Sequence, residues 1–149
     1  MDNIGLALSG GAARGIAHIG VLKALEEQDI PIKFISGTSV GAIIAALYAF
    51  DIELDEIGRF AKSLNLSKVS SFKLSKYGLF DNHNLKDLLY QYIGDSRIEH
   101  SKLPLAIIAT DISSGEKVIL KSGSVCDAVC ASSAIPGLFA PVIIDNQSL

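Results

Sequence analysis

Ser39 stands at the centre of Gly37-Thr38-Ser39-Val40-Gly41, a G-x-S-x-G spacing. A serine hydroxyl attacks an ester only when a base takes its proton and nearby donors receive the oxyanion that forms. This spacing suits such a nucleophile, because it perches the serine on a tight turn between a strand and a helix. A side chain at Gly37 or Gly41 would crowd the strand and helix where they approach each other. The Val40 N–H, first in the helix that follows, is one expected oxyanion donor. A second source lies upstream in Ser9-Gly10-Gly11-Ala12-Ala13-Arg14-Gly15, a loop of tiny residues with one arginine. Residues without bulk let Gly10 and Gly11 turn their amides inward, while Arg14 either adds positive potential or braces the loop. The predicted chemistry is acyl transfer through Ser39.

The surrounding elements must bring these two loops to one place. Ile4 to Leu8 reads as a first strand, the glycine loop follows, and Ile16 to Gln28 reads as a helix. In that helix Ile16, Ile19, Val21, Leu22 and Leu25 are expected on one side, with Lys23, Glu26 and Glu27 on the other. Ile32, Phe34 and Ile35 form the next strand, and Val40 to Phe50 carries no charge, as a buried helix does. Strand, glycine loop, helix and strand in this order predict two parallel strands with a right-handed crossover.

Leu54, Ile57, Phe60 and Leu64 mark a further helix, and Asn65 to Lys76 reads as a surface segment. Leu85, Leu88, Leu89 and Tyr92 mark another helix, which Gly94 stops. Leu105 to Ala109 and Val118 to Leu120 are expected to pair as a hairpin. Ser124 is placed to cap a helix from Val125 to about Ser132, and Val142 to Ile144 is a last short strand. The alternation predicts an α/β fold, a three-layer α/β/α sandwich around a mostly parallel sheet. Such sheets carry their working residues at the carboxyl ends of their strands. The glycine loop and Ser39 then share one edge.

At 149 residues, 49% of them hydrophobic and 19% charged, the chain is one domain with material for a core. A net charge of -3 without a dense Lys/Arg run argues against nucleic acid as a partner, and leaves peripheral contact with lipid open through apolar surface. The first residues read as no signal peptide, and Ala42 to Phe50, the longest apolar run, is too short to span a bilayer. Cys126 and Cys130, one helical turn apart, read as reduced core thiols, which fits a cytoplasmic protein. Nothing in the pattern calls for a metal or a cofactor.

The blocks Ser9-Gly10-Gly11-Ala12-Ala13-Arg14-Gly15, Ala17-His18-Ile19-Gly20-Val21-Leu22, Gly37-Thr38-Ser39-Val40-Gly41 and Ala131-Ser132-Ser133-Ala134-Ile135-Pro136-Gly137 resemble, in this order, a bacterial patatin-like phospholipase. The resemblance implies a lipid acyl hydrolase with a Ser–Asp dyad and no catalytic histidine. It implies Ser39 as the nucleophile and the loop from Gly10 to Gly15 as the oxyanion hole. Ala12 departs from the family's G-x-G-x-x-G loop, where a glycine stands. The family's aspartate belongs to an Asp-Gly-Gly or Asp-Gly-Ala motif, whereas this sequence ends Asp145-Asn146-Gln147-Ser148-Leu149. Asp145-Asn146 reads as a hairpin turn, so the expected base lies beyond residue 149 and the chain is the N-terminal portion of a longer domain.

Other residues have competing uses. His18, His83 and His100 invite a Ser-His-Asp triad, but read respectively as a packing residue beside the loop, part of a helix start and a solvated loop residue. Asp111 is expected to cap the turn from Thr110 to Gly115. Ser132 and Ser133 lack an elbow and read as structural or pocket-lining. Leu79, Phe80, Leu138 and Phe139 are candidates for an acyl-chain pocket, although such residues are core by default. A dinucleotide loop would need an acidic residue at the end of the next strand, where Ser36-Gly37 stands. A non-catalytic acyl-binding module is the other alternative.

Overall fold

The computed structural model describes residues 4–64, 83–137 and 139–149. Strand β1 (Ile4–Leu8) leads through a 3₁₀ turn (Ala12–Gly15) into helix α1 (Ile16–Glu27), then strand β2 (Ile32–Gly37) and helix α2 (Val40–Ala49). Helices α3 (Leu54–Ser63) and α4 (His83–Ile93) precede strand β3 (Leu105–Thr110). Strand β4 (Lys117–Leu120), helix α5 (Val125–Ser133) and the short strands β5 (Ile143–Ile144) and β6 (Gln147–Ser148) complete the order. The segment from Asn65 to Lys76 lies outside the described residues.

The central sheet runs β1-β2-β3-β4, with β1, β2 and β3 parallel and β4 antiparallel to β3. This is the expected α/β arrangement, a mostly parallel sheet with flanking helices. Leu8, Ile35, Leu105, Ile107, Ala109 and Leu120 are buried beneath those helices. They alternate with Phe34 and Ile119, which are exposed on the opposite face. Both crossovers advance across the sheet in one direction, so a right-handed path puts α1 and α2 on the same face. Helix α2 is the hub of the core, with Ala42, Ile44, Ala45, Ala46, Leu47 and Ala49 almost wholly buried. Phe60 of α3 meets the Tyr92 ring of α4 edge-on, with centroids 5.2 Å apart.

Local signals carry most element ends. The Ser124 hydroxyl accepts the Asp127 N–H at 3.2 Å and caps α5, and Gly94 ends α4 at φ 57°. Asp145 (φ 48°) and Asn146 (φ 62°) form the two-residue turn that pairs β5 with β6. Helix α1 departs from expectation. Leu22 is buried, but Ile16 and Val21 are about half exposed. The helical repeat explains this, because residues 16 and 21 lie about 100° or more round the axis from residue 22.

Candidate active site

Three glycines draw the site together, as a methyl group added to each would show. On Gly37 it would lie 2.3 Å from the Gly41 carbonyl oxygen, and on Gly41 it would lie 2.3 Å from the carbonyl oxygen of Leu8. On Gly15 it would lie 2.4 Å from Val40 Cγ1. The ends of β1 and β2, the 3₁₀ turn and the start of α2 therefore meet at distances only glycine permits. The Thr38 N–H donates to the Leu8 carbonyl at 3.0 Å, which ties the elbow to the strand before the glycine loop. Both loops occupy the carboxyl edge of the sheet, as the sequence predicts.

At this junction Ser39 adopts φ 53° and ψ −124°, outside the conformations usual for a non-glycine residue. It immediately precedes α2, so its hydroxyl stands at the positive end of a helix dipole. Gly10 is its neighbour: a methyl on Gly10 would be 3.5 Å from Ser39 Cβ, an ordinary contact distance. The N–H groups of Gly10, Gly11 and Val40 take no backbone acceptor among the described residues. A cleft of about 200 Å³ lies next to this corner, lined by Ala7, Ser9, Ser36, Thr38 and Ile108 among others but not by Ser39 itself. A larger hollow of about 310 Å³ lies at the opposite edge, among Glu26, Tyr48, Asp51 and Lys102, and its lining holds no serine, threonine or cysteine.

The glycine loop is braced from both ends. His18 Nε2 donates to the Ser9 carbonyl at 2.8 Å, and the Arg14 N–H donates to the Gly11 carbonyl at 3.0 Å. The Arg14 side chain is exposed and joins none of the ion pairs among the described residues. Ala12 takes φ 46°, so the position where the family pattern has glycine does use a left-handed backbone.

Neither His18 nor His100 assembles a triad with Ser39. His18 spends its Nε2 proton on the loop, and α4 begins at His83. His100 is exposed in a 3₁₀ turn (Ile98–His100) before β3, at the far edge of the sheet from Ser39. Asp111 accepts the Ser113 N–H at 3.1 Å and the Ser114 hydroxyl at 2.8 Å, and these hydrogen bonds hold its carboxyl below the usual range. It caps its turn, as expected. Leu79, Phe80 and Leu138 lie outside the described residues, while Phe139 is half-buried and its N–H donates to the Ile135 carbonyl at 3.0 Å.

Sequence reasoning passed over a link to Ser132. Its hydroxyl accepts the Ser39 N–H at 2.8 Å and donates to the Ile108 carbonyl at 2.5 Å. No local pattern announces a contact between residues 93 positions apart.

Comparison with known proteins places this geometry among others. A family model described as patatin-like phospholipase matches residues 6–149. An NTE family protein of Mycobacterium tuberculosis is 36% identical over 149 residues, covering 98% of this chain and 41% of that protein. The lysophospholipase nte1 of Emericella nidulans is 36% identical over 160 residues, covering 98% of this chain and 10% of the fungal protein. The chain thus spans about two fifths of the mycobacterial relative and a tenth of the fungal one. Among solved structures, VipD from Legionella pneumophila aligns with a TM-score of 0.72 at 18% identity, over 99% of this chain and 45% of that one. The type III effector ExoU of Pseudomonas aeruginosa aligns with a TM-score of 0.65 at 19% identity, over 91% and 41%. At those identities the structures speak for the fold.

Proposed function

The chain belongs to the patatin-like phospholipase family, and from that premise we propose that the intact protein is a serine hydrolase of lipid acyl esters. The observation that carries this reading is Ser39 on its strained corner beside Gly10, with the Gly11 and Val40 amides taking no backbone acceptor among the described residues. Fungal relatives bear the name lysophospholipase, which supports fatty-acyl esters of phospholipids or lysophospholipids as substrates.

In this reading Ser39 Oγ attacks the ester carbonyl carbon as a carboxylate takes its proton. The tetrahedral oxyanion is held by the Val40 N–H and by amides of the loop from Gly10 to Gly15; one such donor contributes about 3 kcal/mol in measured cases. The bond to the alcohol then breaks, the alcohol departs with the proton, and water releases the fatty acid from Ser39 by the same route. We assign the carboxylate to an aspartate downstream of Leu149. In support, Asp111 is committed to its turn and Asp145 sits in the β5–β6 hairpin. We place the protein in the cytoplasm with peripheral contact to lipid; Ile16 and Ile135, both about half exposed, offer apolar surface for it. Among the described residues no helix is long and apolar enough to cross a membrane.

The test is a fluorophosphonate probe applied to the full-length protein, with peptide mapping of the adduct. One label on Ser39, lost in Ser39→Ala and retained in Asp111→Asn and Asp145→Asn, is expected. Label elsewhere, or none, overturns the hydrolase reading, and vesicle binding without label would favour a non-catalytic acyl-binding module. Loss of label in either aspartate variant would move the base into this chain.

A further inference from the structure

The contact between Ser39 and Ser132 has an unambiguous direction. A backbone amide only donates and a carbonyl only accepts, so Ser132 Oγ must accept from Ser39 and send its own proton to Ile108. The hydroxyl cannot rotate away without breaking one bond or the other. It links β3, through Ile108, and the last turn of α5 to the nucleophile's backbone.

Such a link matters at a residue held at φ 53° and ψ −124°. Strained conformations persist only where the surroundings over-determine them, and here the Thr38 carbonyl accepts the Gly41 N–H at 2.9 Å, which holds one end of the Thr38–Ser39 peptide. The relay holds the other end, the Ser39 N–H, so the plane of the Thr38–Ser39 peptide is pinned from both sides. It also occupies the Ser39 N–H, so the Val40 N–H remains the elbow's oxyanion donor. A hydrogen bond whose acceptor is itself donating to a carbonyl is polarised and strengthened.

Resting on the hydrolase reading above, we propose that Ser132 is a positioning residue for the nucleophile, acting through the Ser39 N–H to aim the Ser39 hydroxyl. The experiment is made on the full-length protein, with Ser39 labelling by a fluorophosphonate followed in time and ester hydrolysis resolved into kcat and KM. Ser132→Ala should label about 10- to 100-fold more slowly, the consequence of leaving one part-buried amide unpaired. Its kcat should fall in proportion with KM little changed, and Ser132→Thr, which keeps the hydroxyl, should recover most of the rate. Should the alanine variant not fold, Ser132→Cys retains the size but weakens the acceptor, and must also be slow. Labelling at the wild-type rate in Ser132→Ala or Ser132→Cys, or a threonine variant as slow as alanine, overturns the proposal while leaving Ser39 as nucleophile. Wild-type protein that takes no label at Ser39 overturns both readings together.

Discussion

Gly15 and Val40 touch so closely that a methyl group at position 15 would lie 2.4 Å from Val40 Cγ1 and 2.5 Å from Cγ2. That contact sets the distance between the glycine loop and the helix that follows Ser39. The two segments proposed to supply oxyanion donors are therefore held in register by one missing side chain.

Gly15→Ala is expected to push the loop away from α2, because the branched Val40 side chain has few rotamers into which to retreat. Overpacking of this kind costs about 1–3 kcal/mol, and displaced donors should cost more activity than the stability loss accounts for. Denaturant unfolding and Ser39 labelling measure the two effects. Adding Val40→Ala should return part of both, and a double variant as damaged as the single would refute the steric account.

Ala12 offers the opposite experiment. At φ 46° an alanine is strained by roughly 1–2 kcal/mol, against about 0.5–1 kcal/mol of extra chain entropy that glycine loses on folding. Ala12→Gly should therefore stabilise the protein by up to about 1 kcal/mol, read as a higher urea midpoint at unchanged slope. A lower midpoint would show that the loop does not hold this conformation in solution.

His18 separates a brace from a base. Its bond to the Ser9 carbonyl is exposed to solvent, so His18→Ala should lose only about 0.5 kcal/mol of stability, the low end for a hydrogen bond. Ser39 should still take label within about tenfold of the wild-type rate, since general-base loss commonly costs about 10²–10⁴-fold. Complete loss of labelling in a folded His18→Ala protein would reinstate histidine catalysis.

Cys126 and Cys130 predict a pH dependence. Both are buried in α5, and burial pushes their thiols up from 9.0 to about 11 and about 12 respectively. The folded protein keeps protons that the unfolded chain releases above its ordinary thiol value. The stability they contribute is thus present below about pH 9 and is lost as pH rises toward the folded values. Urea midpoints should fall through this range, and less steeply in the Cys126→Ala, Cys130→Ala double variant. Identical slopes in the two proteins would remove the thiols as the cause.

Features dictated by short-range sterics are legible in the residues alone. The elbow at Ser39, the Ser124 cap, the stop at Gly94 and the Asp145-Asn146 hairpin each depend on a few adjacent residues, so composition and spacing suffice. The alternation of strands and helices likewise implied a parallel sheet and a shared edge for the two loops. Tertiary structure alone decided which side of α1 faces inward, because Ile16 and Val21 are apolar yet point away from the packing that buries Leu22. It also decided the contact between Gly15 and Val40, and the hydrogen bond from Ser39 to Ser132. These depend on where chain segments far apart in sequence come to rest, and hydrophobic period carries no record of that.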